Sequence, residues 1–503
     1  MIITRDLLVS VYGTELDYTR LSRQYKAYNT WAVSGKKGTL SLAPRFGKTL
    51  IGCFAIDDVL EQEKVANIIV LCPSETVQNE WINSIVAYRL LTEEMAAKGI
   101  KIRVITPTTI TNKPENFTDP VDLLIIDEIH KFTSEARLEI IEEKYFKYAR
   151  IMTLSGTIPK TAIMSRIFKI APIVDTITDS EALTNGWISA VQEYNVILEL
   201  PIATKELYAR HSYTISHTLE DFKGLNGLFQ DKEGRLLFNS AFDLLLACYA
   251  GGKTHLGFIK PEVIRQSVSN RVGLQDDFED KWTPNAIKER ARVFTNTVRD
   301  RNELIIAGYP KLEAVIKIFE QNQVPTICFN ESTEFADTIT DSINEKFENC
   351  ATCFHTAMKS IPLKDPRTGD FYRVKTGVNK DKPKVFGLDT LKSVAINGMI
   401  TGDYKFLATA RALDEGLTIA GIEQVITTAG TANPLQYLQR NARGRTVDIY
   451  NPHKITKVYN LTYNDFYITV GGNERFVKSR DKTKLQTRQN NMKAKWINMS
   501  HFI

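Results

Sequence analysis

Ser41-Leu-Ala-Pro-Arg-Phe-Gly-Lys-Thr49 continues an apolar run, Gly38-Thr-Leu-Ser-Leu-Ala43, and leads into a helix-forming stretch, Leu50 to Gln62. Strand, tight turn and helix in that order are the setting of a phosphate-binding loop. Gly47 lets the backbone approach phosphate oxygens. Lys48 carries positive charge to the β- and γ-phosphates, and the Thr49 hydroxyl can ligate Mg2+ beside the helix N-terminus. Arg45, inside the loop, is counted with the nucleotide-binding groups. The full motif asks for glycine five residues before Gly47, and Leu42 stands there instead. Gly252-Lys253-Thr254 repeats the tripeptide with no strand before it and no carboxylate after it, and reads as a loop.

Leu123-Leu-Ile-Ile-Asp127-Glu128-Ile129-His130 supplies what such a loop requires, a second strand ending in carboxylates. Asp127 suits Mg2+ and Glu128 suits the attacking water. Taken alone, the pair also reads as a helix N-cap after a core strand. Further apolar runs follow the same rhythm: Asn67–Cys72, Ile102–Thr106, Val121–Ile126 and Ile151–Leu154, separated by helical stretches such as Leu50–Gln62 and Glu75–Arg89. Buried strands alternating with crossover helices predict an α/β parallel sheet covered on both faces. From Thr204 to Arg301 charged and apolar residues mix at helical spacing, and from about 311 the strand alternation returns at Thr326–Phe329, Lys405–Ala408, Gln424–Thr427 and Lys457–Leu461. The expected organisation is a first α/β lobe at 1–195, a mainly helical insert at 196–307, a second lobe at 308–465 and a basic tail at 466–503.

The chain has 503 residues, enough for two to four domains. With 64 Lys and Arg against 59 Asp and Glu the net charge is +5, which excludes a histone-like polycation and allows one basic groove. Six scattered cysteines do not form a disulfide framework. Cys350 and Cys353, with His355 nearby, are the one close pair; no second pair lies at finger spacing, so a plain strand is expected ahead of a metal site. No run approaches membrane-spanning length, and a soluble cytoplasmic protein (host cytoplasm, were the source viral) is expected. The basic stretch from Arg475 to Lys495 reads as a flexible solvated end, with salt-sensitive DNA contact as the alternative.

In this order the motifs resemble superfamily 2 helicases of the DEAD/DEAH-box type, written here Asp-Glu-Ile-His, and the layout is similar to compact phage, recombination-type and restriction-type DNA helicases. The resemblance implies two tandem RecA-like lobes, ATP and Mg2+ in the cleft, and a nucleic-acid partner, DNA ahead of RNA, with no membrane. The segment Leu21 to Trp31 looks like the adenine-reading motif, where a Gln24 amide pairs with N6 and N7; an exposed helix position is the other reading. Ser74, after Cys72-Pro73, and Thr109, ending Thr106–Thr109, fall where the family contacts strand phosphates. Ser155-Gly156-Thr157 resembles the motif that couples the ATP site to the track, with Ser155 and Thr157 as coupling residues.

Glu181 to Ile188 looks like the linker out of the first lobe, and Cys328-Phe329-Asn330 like motif IV. Phe406 to Leu417 resembles motif V, which gives Thr409 to the strand and Gly416 to the nucleotide; Thr418 stands where the family often has Asp. Gln436, Arg440 and Arg443 satisfy the spacing of motif VI, with Gln439 where glycine is usual and Arg445 as the competitor for the second finger. Guanidinium groups from the opposite lobe best meet the charge developing on a γ-phosphate. The implied activity is an ATP-dependent DNA helicase or translocase. Its rivals are a duplex translocase without strand separation, an RNA helicase, and a nucleotide-gated binding switch, which the intact Asp127-Glu128 pair disfavours.

Overall fold

The computed structural model describes residues 2–13, 17–132, 134–159, 161–230, 234, 236–249, 259–272, 282–358, 373, 382, 387–410, 419, 421–430, 433–447, 454–470, 473–489 and 494–499. The chain forms two compact units. One joins Met1–Asn195, Ile318–Asn460 and Thr487–Trp496; the other joins Val196–Lys317, Leu461–Gln486 and Ile497–Ile503.

The first unit contains two sheets. In the first, β1 (Lys37–Leu42), β2 (Asn67–Leu71), β3 (Lys101–Ile105), β4 (Val121–Asp127), β5 (Tyr148–Ser155) and β6 (Ile173–Ile177) run in the order β3-β2-β4-β5-β1-β6. Every neighbouring pair is parallel. Side chains alternate between two cores. Ile68, Val70, Leu123 and Ile125 join a core with Leu40, Met152 and Leu154, while Ile69, Leu71, Leu124 and Ile126 join the opposite one with Ile151. The consecutive apolar residues Ile68–Leu71 of β2 and Leu123–Ile126 of β4 are therefore both faces of one covered sheet, which is why these segments read as unbroken apolar runs.

The second sheet runs β15-β7-β12-β11-β8-β10-β9. Its strands are β7 (Ala190–Leu198), β8 (Thr326–Asn330), β9 (Ala351–Phe354), β10 (Phe406–Ala410), β11 (Gln424–Thr427), β12 (Ile455–Tyr463) and β15 (Lys495–Asn498). The central pairs, from β12 through β11, β8 and β10 to β9, are parallel. Two sheets of this kind are the tandem RecA-like lobes that the motif order implied.

Two elements differ from the sequence reading. Residues 190–195, assigned there to the first lobe, begin β7 of the second sheet. The described residues of 466–503, a segment read as a flexible tail, form the hairpin β13 (Phe466–Val470) and β14 (Asn473–Val477), a helix at Arg480–Gln489 and strand β15. The charges that suggested a solvated end sit among residues that are buried, such as Phe466, Ser479 and Leu485. Charge density in a short window does not register partners hundreds of residues away.

The second unit is built on helices at Ile202–Asp221, Ala241–Tyr249, Pro261–Val272 and Pro284–Ile306, around a core that includes Ile215, Phe222, Leu244, Leu245 and Phe294. Among the described residues no helix is long and apolar enough to cross a membrane. Lys311 is fully buried here. Its ammonium donates to Asp481 at 2.8 Å and to the Ile305 carbonyl at 2.6 Å. A buried cation survives only when paired and hydrogen-bonded. We therefore expect Asp481→Ala to remove about 3–5 kcal/mol of unfolding free energy, and Lys311→Met combined with Asp481→Leu to recover most of it. Urea unfolding of the three variants reads this, and an Asp481→Ala protein as stable as wild type would contradict it.

Candidate nucleotide site

The order β4-β5-β1 brings three motifs to one sheet edge. Parallel strands end on the same side, so the loop after β1, the carboxylates after β4 and Ser155-Gly156-Thr157 after β5 become neighbours. Ligands of open α/β sheets bind outside such carboxyl ends. A cavity of about 400 Å³ lies there, lined by Arg45, Gly47, Lys48, Thr49, Asp127 and Glu128 among others. That is the size of a small-molecule pocket.

Gly47 has φ +98° and starts the helix Lys48–Gln62, whose first turn has no side-chain cap. Its amides are thus available to an anion. A Cβ on Gly47 would collide with Gln24 Nε2. Leu42, where the full motif has glycine, is the last residue of β1 and packs in the core. Bracing comes instead from the helix Tyr18–Val33. Arg20 donates to the carbonyl oxygens of Phe46, at 2.9 Å, and Arg45, while Gln24 Nε2 donates to Phe46 O at 2.8 Å. Turning these carbonyls toward the helix leaves the loop amides for the pocket. Gln24 is buried against the loop and does not line the cavity; Arg20 and Tyr12 do. The sequence reading chose Gln24 and passed over Arg20. Their spacing of one helical turn was the available signal.

Asp127 is buried and accepts a hydrogen bond from Trp81 Nε1 at 3.0 Å. Burial raises its carboxyl above the usual range, against the pull of Lys48. A Cβ at Gly52 already crowds the Trp81 ring, so glycine at that helix position makes room for the indole. Trp81 had no recognisable signal, since its partner lies in another motif. Glu128, with φ +52°, forms an ion pair with Lys48. Burial would raise its carboxyl, but Lys48 and His130 outweigh burial and hold it well below the usual range. His130 Nδ1 lies 2.9 Å from Ser155 Oγ, which donates to Thr157 O at 2.6 Å. Carboxylate edge and coupling motif are therefore one hydrogen-bonded chain, with His130 as a link that the sequence reading did not assign.

From the second sheet, Gln439, Ala442 and Arg443 also line the cavity, and the Gln439 amide lies 3.4 Å from His130 Nε2. Arg443 is brought to the pocket and Arg440 is not. Arg440 is buried, donates to Glu331 at 3.1 Å and to Ala429 O at 3.2 Å, and lies over the Phe329 ring. Arg445 is paired with Asp179, and Gln436 does not line the cavity.

The residues read as strand contacts separate. Ser74 starts the helix Glu75–Ala87 after β2, and its Oγ is buried without a partner. Thr109 is exposed in the short helix Pro107–Asn112 that follows β3, its hydroxyl 3.2 Å from that of Thr106. Thr409 is fully buried within β10 and offers no surface to a strand. Gly416, with Asp414, Glu415 and Thr418, lies outside the described residues, as does Gly252-Lys253-Thr254.

All six cysteines are free. Cys353, His355 and Asp337 lie close enough to share an ion. Their hydrogen bonds account for them without one. Ala357 N–H occupies His355 Nδ1 at 3.2 Å, which leaves the ring proton on Nε2 to donate to Asp337 at 3.0 Å.

Residues 18–160 match the family model described as the Type III restriction enzyme, res subunit. No curated protein matches the chain. The chain is similar to two solved structures. One is S. cerevisiae Dbp5 bound to RNA and ADP BeF3, at TM-score 0.54 and 9% identity, covering 99% of this chain and 95% of that one. The other is the Pyrococcus furiosus Hef helicase domain, at TM-score 0.49 and 15% identity, covering 97% and 100%. The chain thus has the fold of paired RecA-like lobes, as in the Dbp5 structure, and its residues 18–160 are similar to the restriction-enzyme subunit family.

The two motif VI arginines should separate in a mutant test. Arg443→Ala is expected to lower kcat for ATP by on the order of 10²–10³-fold with stability kept. Arg440→Ala should instead cost stability, about 3 kcal/mol, by removing one partner of the buried ion pair with Glu331. Steady-state ATPase rates alongside thermal unfolding distinguish the two, and the reverse pattern would reassign the finger.

Proposed function

We propose that the protein is an ATP-driven motor on DNA, a helicase or translocase. The observation that carries this is a single cavity lined by Lys48, Thr49, Asp127 and Glu128 from one sheet and by Gln439 and Arg443 from the other. A nucleotide held between two lobes makes their approach depend on what is bound, and alternating grip converts that dependence into movement.

Phosphate oxygens of ATP would compete with Glu128 for Lys48, and the carboxylate so freed is suited to orient or deprotonate the attacking water. Thr49 and Asp127, both in the cavity lining, would hold Mg2+, which when bound neutralises charge on the phosphates. Arg443 meets the remaining charge from the opposite lobe. The chain Glu128–His130–Ser155 carries the state of the carboxylate edge into the coupling motif. DNA is favoured over RNA by the match of residues 18–160 to a restriction-enzyme subunit and by a motif III written Ser-Gly-Thr. The uncapped amides that begin the helix Glu75–Ala87 at Ser74, and Thr109, exposed after β3, follow neighbouring strands of that sheet, where a strand's phosphates would be held with little sequence preference.

The test compares ATP turnover with single-stranded, duplex, forked and four-way-junction DNA and the matching RNAs. DNA-stimulated multiple turnover, absent in Lys48→Ala, is expected. Stimulation by RNA alone would replace the DNA reading, and stoichiometric hydrolysis without turnover would favour a switch.

A further inference from the structure

The helix Pro434–Ala442 runs directly into the turn Arg443–Arg445, so its roll and axial position decide where Arg443 emerges. Two residues one turn apart hold its inner face. The Tyr437 hydroxyl donates to one carboxylate oxygen of Glu193, and Asn441 Nδ2 donates to the other at 2.8 Å. Glu193 sits on β7, the strand that enters the second sheet from the linker.

Behind Tyr437 is a partner from the far end of the chain. Gln489, the last residue of the helix Arg480–Gln489, faces Asn195 in a closed amide pair, accepting at 2.9 Å and donating at 2.7 Å. The same Gln489 amide donates to the Tyr437 hydroxyl at 3.2 Å. Asn460 on β12 donates to Asn195 at 3.3 Å and to Tyr437 at 3.4 Å. Arg488 lies over the Tyr437 ring, 5.4 Å from its centre, and packs on Gly430, where a Cβ would collide with the guanidinium. Asn195, Asn460, Tyr437, Asn441 and Gln489 are all buried. Breaking a buried hydrogen bond leaves its donor and acceptor without water to replace each other, so the bonds made to Glu193, Tyr437 and Asn195 admit few arrangements. A purely apolar contact would let the helix slide or roll at little cost.

We propose that Gln489, acting through Tyr437, is a positioning residue for Arg443, which makes the C-terminal helix a working part of the ATPase site. The sequence motifs of that site end at Arg445, so nothing in their order reaches Gln489. The inference rests on the reading of the cavity as an ATP-hydrolysing site. The hydrogen bonds of Gln489 go to Asn195 and Tyr437, neither of which lines the cavity, and its effect passes along the helix from Tyr437 to Arg443.

The experiment measures kcat and KM for ATP in the full-length protein and three single variants: Gln489→Met, which keeps bulk and removes the amide, Tyr437→Phe, which removes only the hydroxyl, and Arg443→Ala. It also includes Gln489→Met in the Arg443→Ala background. Both network variants should lose about tenfold in kcat, the scale of a slightly misplaced catalytic group, with KM changed less than about twofold. In the Arg443→Ala background Gln489→Met should have no further effect, because the group it positions is gone. Unchanged kcat in folded Gln489→Met and Tyr437→Phe overturns the proposal. So does an equal loss with and without Arg443, or a loss that only follows the folded fraction seen in thermal unfolding. A wild-type protein without ATP turnover takes down the functional reading itself, a result distinct from an active wild type with indifferent variants.

Discussion

Everything at the nucleotide site depends on the adjacency of β4, β5 and β1 in a parallel sheet. Parallel pairing forces their carboxyl ends to one edge, and the register places Asp127 beside Leu154 and Ser41 beside Ser155. Lys48 and Glu128 then meet in an ion pair although a long stretch of chain separates them. No local preference could bring them together. Burial of alternating side chains in two cores fixes the strand order, and the charges follow from that order.

The second constraint is electrostatic. Asp127 and Glu128 are adjacent, yet their surroundings push them in opposite directions. Burial dominates at Asp127 and raises its carboxyl, while Lys48 and His130 overcome burial at Glu128 and keep it charged. Environments that split a pair of carboxyls in this way are how one site assigns different roles to similar groups. Trp81 holds one of these carboxyls through its indole N–H, and His130 holds the other.

The second sheet uses its arginines in different ways. Arg440 is spent on structure, sealed against Phe329 and Glu331, and Arg443 is presented to the cavity. Spacing alone treated the two as equivalent. The difference arises because Arg440 falls on a buried face of a nine-residue helix and Arg443 falls past its end, where the chain turns.

The linear chain by itself determined the fold class and the ingredients of the site. Unbroken apolar runs, a glycine before Lys48 and Thr49, and carboxylates ending an apolar strand are local patterns with local physical causes, and each lies where it was read. Tertiary structure alone decided the rest. It turned Gln24 onto the Phe46 carbonyl and added Arg20 beside it, and it buried Thr409. It folded a basic stretch into a helix whose Gln489 reaches Asn195 and Tyr437. These outcomes depend on which distant groups share a buried space. That sharing is set by sheet order and packing, and no window of the chain contains it.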